Sequence, residues 1–334
     1  MKHILISLAA LSLLAACNKN NPGEQQLPNA EEETVLVTFM LEDPGLSRST
    51  SSAKESTIER AQVAVYDADG FMLAVGKSIS GTVSLRVPMG ASGCSAFALV
   101  NSTVDLAVYP SKSTVLQLMS TLGANRAANL TGLEMAGSLS NITFTEDYQG
   151  EIFLNHFAAK VQIDEIANAI PGNPVLTVNG IYLINVNTQL RYDFDDSALL
   201  WAQKRAYTES ETTIIPYTAE ISAVNINGEG SHQVTHYFYC YPNPTTTDSS
   251  SETWGPRYTR LVVDATYSGH RYYYPINIKG NDGRLNYNTH YLITKLTITG
   301  PGSDSPDKPV NKGGASFSLQ VIDWENGISQ EVVI

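Results

Sequence analysis

Recognisable catalytic and metal-binding motifs are missing from this sequence of 334 residues. It has no G-x-S-x-G, no P-loop and no G-x-G-x-x-G, so the usual signals of serine hydrolases and nucleotide-binding proteins are absent. The three cysteines form neither a C-x-x-C pair nor a Cys/His metal spacing. Acidic pairs such as Asp195-Asp196 come without any indication of a cleft. We therefore expect no enzymatic activity, no bound metal and no cofactor.

Positive charge is also scarce. The chain has 33 acidic and 21 basic residues, which gives a formal net charge of -12 at pH 7. A strongly acidic chain is repelled by the phosphates of nucleic acids and by anionic lipid headgroups. We expect no nucleic-acid partner, and membrane contact only through a covalent lipid.

Long apolar runs are absent, but a short one, Ile4 to Leu13, stands near the start. It is too short for a membrane-spanning helix, which needs roughly 20 apolar residues. Lys2 precedes it and Leu14-Ala15-Ala16-Cys17 follows it, which is the pattern of a lipoprotein signal peptide. The alternative is an ordinary signal peptide with a coincidental cysteine. We predict that residues 1–16 are removed and that acyl chains on Cys17 tether the chain outside the cytoplasm.

Two cysteines remain once Cys17 is lipidated. Cys94 precedes the apolar run Ala96 to Val100, and Cys240 follows Tyr237-Phe238-Tyr239. An exported protein can keep a disulfide, but a free cysteine is also a common buried residue. A Cys94–Cys240 disulfide and two buried thiols are therefore both open alternatives.

Short alternating segments, rich in β-branched and aromatic residues, dominate the chain. Examples are Val35 to Met40, Gln62 to Tyr66, Thr82 to Val87 and Leu261 to Tyr267, each bounded by turn-forming residues. This pattern is typical of strands joined by turns and predicts an all-β fold. Only Ser113 to Leu122 has a helix-like spacing of apolar residues, with Gly123 to end it.

The clearest internal break is Pro171-Gly172-Asn173-Pro174. We predict a domain boundary there, with domains at 49–170 and 171–334 after an N-terminal tether and propeptide at 17–48. The Pro- and Gly-rich stretch 300–309 and the polar stretch 245–251 predict loops.

Three motifs suggest chemistry but favour simpler explanations. His232-Gln233-Val234-Thr235-His236 has the histidine spacing of a zinc protease, but Gln233 replaces the required Glu and the segment is strand-like. Asp67-Ala68-Asp69-Gly70 lacks the later positions of a calcium loop and predicts a hairpin turn. The tyrosines at 237, 239, 241 and 272–274 could stack on a carbohydrate, although packing within sheets is the preferred interpretation.

Several segments together resemble the fimbrillin family of Bacteroidales, the subunits of type V pili. Residues 283–300, from Gly283-Arg284-Leu285-Asn286-Tyr287 into a long strand, look like the family's R-N-x-x-Y segment, with Leu285 inserted in the Arg-Asn pair. Tyr239 to Asn243 is similar to the family's Y-x-Y-P-N strand end, Phe157 to Val161 to the run that closes its first domain, and Leu133 to Gly137 to its P-M-x-G turn.

This resemblance implies two tandem β-sandwich domains of transthyretin-like topology with few short helices. It also implies a precursor that is lipidated at Cys17 and then cut by an Arg-specific surface protease between Arg48 and Ser49. Arg48 lies in a polar, turn-forming stretch that a protease can reach, whereas the alternative, Arg60, is followed directly by a strand. The cut would free the strand Thr34 to Leu41.

Loss of that strand would leave a groove that a strand from another subunit fills by β-strand addition. The predicted donor is the C-terminal segment from Ile328 to Ile334, which includes Val332 and Val333; the alternative is a simple edge strand. The expected protein is thus a stalk or tip-accessory fimbrial subunit at the cell surface, contributing to adhesion to a host or bacterial receptor, and its precursor is lipid-anchored to the outer membrane. The alternatives are a membrane-retained fimbrial anchor and a surface glycan-binding lipoprotein.

Overall fold

Strands make up most of the chain that the structure describes. The structure is a computed structural model, and it describes residues 33–43, 55, 57–122, 132–202, 223–249, 255–310, 313–323 and 329–333. The fold below is that of the compact unit Thr34–Ile334. The prediction of an all-β protein is confirmed, because the elements of the described residues are strands apart from short helical turns.

Two sheets formed by the first half of the chain pack face to face. Their strands are β1 (Thr34–Glu42), β2 (Ala61–Tyr66), β3 (Met72–Ser78), β4 (Thr82–Pro88), β5 (Cys94–Val100), β7 (Met135–Ile142), β8 (Tyr148–Phe153) and β9 (Asn155–His156). One sheet has the order β4-β1-β8 and the other β3-β2-β5-β7-β9. Apolar side chains of both sheets form one core cluster, as expected of a β-sandwich.

The second half of the chain forms another pair of sheets. Its strands are β10 (Ala159–Asn168), β11 (Leu176–Ile184), β12 (Val186–Asn187), β13 (Gln189–Arg191), β14 (Trp201–Ala202), β15 (Val224–Ile226), β16 (Ser231–Cys240), β17 (Arg260–Tyr267), β18 (His270–Asn277), β19 (Thr289–Ile298), β20 (Ala315–Asp323) and β21 (Ser329–Val333). The two main sheets have the orders β16-β10-β19-β20-β21 and β15-β11-β17-β18.

The segment between β5 and β7 differs from its prediction. It contains a 3-10 turn (Leu106–Val108), a short helix α1 (Lys112–Leu116) and the strand β6 (Met119–Thr121). The helix predicted over Ser113 to Leu122 is therefore wrong beyond Leu116. The reason is tertiary, because β6 pairs with β13 of the second half of the chain, a partner that helical periodicity cannot reveal.

Strands β2 and β5 are buried along their whole length. Val63 and Val65 face the core of the first pair of sheets, whereas Ala64 and Tyr66 join a larger cluster that extends through the second pair. The elements between β5 and β7 cover this second face. The two pairs of sheets therefore share an extensive apolar junction.

The predicted boundary at Pro171–Pro174 falls in the turn between β10 and β11, where Asn173 donates to the carbonyl of Ile170 at 3.0 Å. As a domain boundary it stays a prediction. The change from the first pair of sheets to the second comes earlier in the sequence, before β10. Strand β10 pairs with β16 and β19 and therefore belongs with the strands that follow it.

The predicted loop 300–309 is partly buried. Ser303 and Asp307 are 6% and 7% exposed, and Ser303 pairs with Tyr273 as an isolated bridge. Asp307 forms an ion pair with the buried guanidinium of Arg260 and accepts a hydrogen bond from Asn185 at 2.8 Å. This polar cluster fixes the loop to the second pair of sheets.

Candidate functional site

Strand β1 is the central strand of the three-stranded sheet of the first sandwich. It pairs antiparallel with β4, from Thr34 opposite Pro88 to Met40 opposite Thr82. On its other side it pairs in parallel with β8, from Val37 opposite Tyr148 to Glu42 opposite Phe153. Strands β4 and β8 are therefore held in one sheet through β1.

The side chains of β1 alternate as the sequence predicted. Val35, Val37, Phe39 and Leu41 are 4%, 0%, 0% and 6% exposed, and they belong to the core of the first sandwich. The ring of Phe39 lies 6.0 Å from that of Tyr148, centroid to centroid. Burying a side chain of this size contributes about 1.5–3 kcal/mol, so these four anchor β1 firmly.

Asp43 follows β1 and continues its inward-facing series, at 7% exposure. Its Oδ2 lies 3.7 Å from Nε2 of His156, and both side chains are 2% exposed. Nδ1 of His156 lies 3.1 Å from Oδ1 of Asn288, and the backbone N–H of His156 donates to the same oxygen at 3.1 Å. A buried carboxylate, imidazole and amide thus close one end of the strand.

The space that β1 occupies between β4 and β8, ending at His156 and Asn288, is called the β1 groove below. Without β1 it would present the free backbone groups of two strands above the apolar core of the first sandwich. Such a groove is complementary to an extended chain that has alternating apolar residues.

The C-terminal strand β21 lies at the edge of the five-stranded sheet. It pairs antiparallel with β20, from Ser329 opposite Ile322 to Val333 opposite Ser318. Strand β20 in turn pairs with β19 from Ala315 to Asp323. The predicted donor segment therefore contains an edge strand.

A buried ion pair lies just beyond the predicted cleavage site. Nζ of Lys160 is 2.7 Å from Oε1 of Glu55, and both side chains are 4% exposed. The hydroxyl of Tyr239 donates to the same oxygen, and the backbone carbonyl of Glu55 accepts from Leu133 at 3.0 Å. Glu55 is thereby attached to strands of the second sandwich.

A second buried polar cluster connects the two halves of the chain around Glu134. Its carboxylate accepts hydrogen bonds from Ser120 and, at 2.8 Å, from Tyr192, and Ser120 also contacts the hydroxyl of Tyr241. Burial, followed by the charge of Glu134, raises the pKa of Tyr192. The hydroxyl therefore stays protonated and acts as a donor.

Comparison with known proteins shows what this architecture resembles. No protein-family model and no curated protein matches the sequence. Among solved structures, a fimbrilin from Porphyromonas gingivalis matches at 14% identity with a TM-score of 0.61, over 87% of this chain and 97% of that one. The chain has the fimbrillin fold.

The tip fimbrial protein Mfa3 from Porphyromonas gingivalis, solved with a C-terminal truncation, has the same fold. It matches at 15% identity with a TM-score of 0.52, over 87% of this chain and its own full length. The resemblance to fimbrillins that the sequence motifs suggested is therefore confirmed at the level of fold. Both of these proteins are named as fimbrial proteins.

The histidine motif of this fimbrillin-fold chain is part of strand β16. Gln233 donates to Glu165 at 2.9 Å, and burial lowers the pKa of His236. Across the described ranges no group of three or more His, Cys, Asp or Glu residues is placed to hold a metal ion. Asp67 accepts from the N–H groups of Asp69 and Phe71 at 3.0 and 2.8 Å, which closes the β2–β3 turn.

The tyrosines and cysteines serve mainly in packing. Tyr274 is 1% exposed, and the rings of Tyr267 and Tyr272 stack at 4.9 Å. Cys94 and Cys240 are both free and buried, and each belongs to a different core cluster. Of the two alternatives that the sequence left open, the structure has the buried thiols and not the disulfide.

Several predicted site residues lie outside the described part of the chain. These are the signal peptide 1–16, Cys17, Arg48, Ser49, Ile328 and Ile334. Within the part that is described, no helix is long and apolar enough to cross a membrane.

Sequence reasoning missed the roles of Asp43, Glu55, Glu134 and His156. Only Lys160 gave a usable signal, because a charged residue inside the apolar run Phe157 to Val161 must find a buried partner.

Proposed function

We propose that this chain is a fimbrial subunit that is exported as a lipoprotein precursor and assembled at the cell surface by strand exchange. The observation that carries the proposal is the position of β1. A strand that comes before a predicted cleavage site is the central strand of a sheet, between β4 and β8. Its removal opens a groove for another strand without breaking the chain of the mature subunit.

The lipid belongs to the precursor only. The pattern Leu14-Ala15-Ala16-Cys17 supports lipidation of Cys17 and tethering to the outer membrane. Cleavage between Arg48 and Ser49 by an Arg-specific surface protease then removes the lipid together with β1. Membrane contact therefore ends when the subunit matures.

The contacts made by Arg60 and by Glu55 favour Arg48 over Arg60 as the cleavage site. The backbone of Arg60 is paired in both directions, since its N–H donates to Asn101 at 3.3 Å and its carbonyl accepts from Asn101 at 2.8 Å. A protease requires an extended, unpaired backbone, which this position does not offer. Glu55, buried against Lys160, holds the chain downstream of Arg48 once β1 has left.

The donor in this proposal is the C-terminal part of a neighbouring subunit. Strand β21 pairs only with β20 among the described strands, so it can leave its sheet at low cost, and its departure uncovers β20 within the same C-terminal part. Because each subunit receives a strand from one neighbour and donates one to another, the contact does not close on itself and builds a filament. The partners are other fimbrial subunits, and the filament contributes to adhesion to a receptor in a stalk or tip-accessory role.

The deciding experiment compares two precursor variants, Arg48→Ala and Arg60→Ala. We expect Arg48→Ala to remain full-length, lipidated and absent from isolated fimbriae, and Arg60→Ala to mature normally, as judged by N-terminal sequencing and immunoblotting. Normal incorporation of Arg48→Ala would refute the processing step. A mature protein that keeps Cys17 would instead support a fimbrial anchor or a glycan-binding lipoprotein.

A further inference from the structure

We propose that the end of the β1 groove is a carboxylate-binding site formed by His156 and Asn288, and that Asp323 of a second copy of this chain occupies it after β1 has left. The inference rests on the proposed strand exchange and identifies the segment that is exchanged. In the precursor, Asp43 fills the same site.

The site is built and buried. His156 is 2% and Asn288 6% exposed, and the backbone N–H of Asn288 donates to Ala158 at 3.1 Å. Nδ2 of Asn288 donates to Asn155 at 2.9 Å, so its Oδ1 is directed to His156. Asn288 has a φ of 49°, a left-handed conformation that asparagine tolerates better than most residues. These contacts fix the amide.

The arrangement selects a negatively charged group. Oδ1 of Asn288 can only accept, so the Nδ1 of His156 that faces it at 3.1 Å is the donor. Nε2, on the other side of the ring, lies 3.7 Å from Oδ2 of Asp43, which is within ion-pair distance but too far for a direct hydrogen bond. The end of the groove thus places a buried imidazole, held in orientation by Asn288, beside a buried carboxylate.

Departure of β1 removes the carboxylate from this buried pair. Asp43 comes before Arg48 in the sequence, so the predicted cut releases it together with β1. His156 and Asn288 remain with the mature subunit. Because taking a polar partner away from a buried group is costly, an incoming strand that brings a carboxylate to this position binds better than one that does not.

Strand β20 carries the required pattern. Its apolar residues and its terminal aspartate have the same two-residue spacing as those of β1, namely Phe317, Leu319, Val321 and Asp323 against Val37, Phe39, Leu41 and Asp43. Both strands are nine residues long. Inserted in the direction of β1, β20 brings Asp323 to the end of the groove that contains His156.

The strand β21 fits less well. It has five residues, and Ser329, Gln330 and Glu331 interrupt the apolar positions on both of its faces. The segment Ala61 to Asp67 shares the spacing of β1, but it includes β2, which lies between β3 and β5 and cannot be released. Strand β20 is one strand from the sheet edge and is uncovered when β21 leaves.

The test measures peptide binding to the groove. The full precursor is treated with an Arg-specific protease, and labelled peptides 315–323, 315–323 with Asp323→Asn, and 328–334 are titrated against it by fluorescence anisotropy. We expect the native 315–323 peptide to bind at least tenfold more tightly than its Asp323→Asn form and than peptide 328–334. On the variant His156→Gln, the tenfold preference for the aspartate should disappear.

Equal affinity of the two 315–323 peptides for the wild-type groove, or tighter binding of peptide 328–334, would overturn the inference. If His156→Gln does not fold, the comparison of the two peptides on the wild-type protein decides alone. A treated chain that binds none of the peptides and does not polymerise refutes the strand exchange itself. A chain that polymerises but does not prefer the aspartate peptide refutes only the carboxylate site.

Discussion

Substitution of Phe39 by alanine tests whether β1 is bound in the groove by the core contacts described above. Phe39 is completely buried, and its ring packs near that of Tyr148. Removing a buried phenylalanine side chain costs about 3–5 kcal/mol, which includes the cavity that remains. Leu36 points outward from the same strand and is 41% exposed. We expect Leu36→Ala to change stability by less than about 1 kcal/mol.

The assay is urea unfolding of the two precursor variants, followed by circular dichroism. Phe39→Ala should lower the free energy of unfolding by several kcal/mol relative to Leu36→Ala. Neither substitution should affect the protease-matured subunit, because both residues leave with β1. Since 1.4 kcal/mol is a factor of ten, β1 of Phe39→Ala should also dissociate roughly a hundredfold or more readily after cleavage. Equal stability of the two precursors would refute the inward anchoring of β1.

Two further predictions concern charge in the junction between the sandwiches. Lys160→Met leaves the carboxylate of Glu55 buried without its cation, so we expect it to lower the free energy of unfolding by about 3–5 kcal/mol. The control Lys295→Met breaks the more exposed ion pair with Glu165 and should lower it by less than about 1 kcal/mol. Urea unfolding of the two variants measures both values. Burial and the nearby Lys160 lower the pKa of His290 from 6.5 to about 3, so between these pH values the unfolded chain binds one more proton than the folded chain. The free energy of unfolding should therefore fall by about 1.4 kcal/mol for each pH unit of acidification in this range. His290→Leu should flatten this slope in a series of unfolding curves measured at different pH values.

The strand that fills the groove was predictable from local sequence. Alternation over Thr34 to Leu41 predicted β1 almost to its observed end at Glu42, because one side chain in two must face a core. The same alternation did not predict the buried position of Asp43 at the end of the strand. Its partners His156 and Asn288 are distant in the sequence, and only folding brings the three together.

Periodicity failed where a distant partner decided the structure. The segment after Leu116 has apolar residues at helical spacing, yet it ends in β6, which pairs with β13. In the same way, the apolar surroundings of Cys94 and Cys240 allowed a disulfide as well as two thiols. The separation of the two residues into different core clusters is a property of the sheet arrangement.

The sequence by itself determined the class of this protein. Its alternating segments of β-branched and aromatic residues predicted an all-β chain, since strand formation depends on local composition, and its resemblance to fimbrillins predicted the fimbrillin fold. The tertiary structure decided that β1 lies between β4 and β8, and that Glu55 and Lys160 meet in the interior. Hydrogen bonds between strands and buried charge pairs join residues that are far apart in the chain, so no local pattern records them.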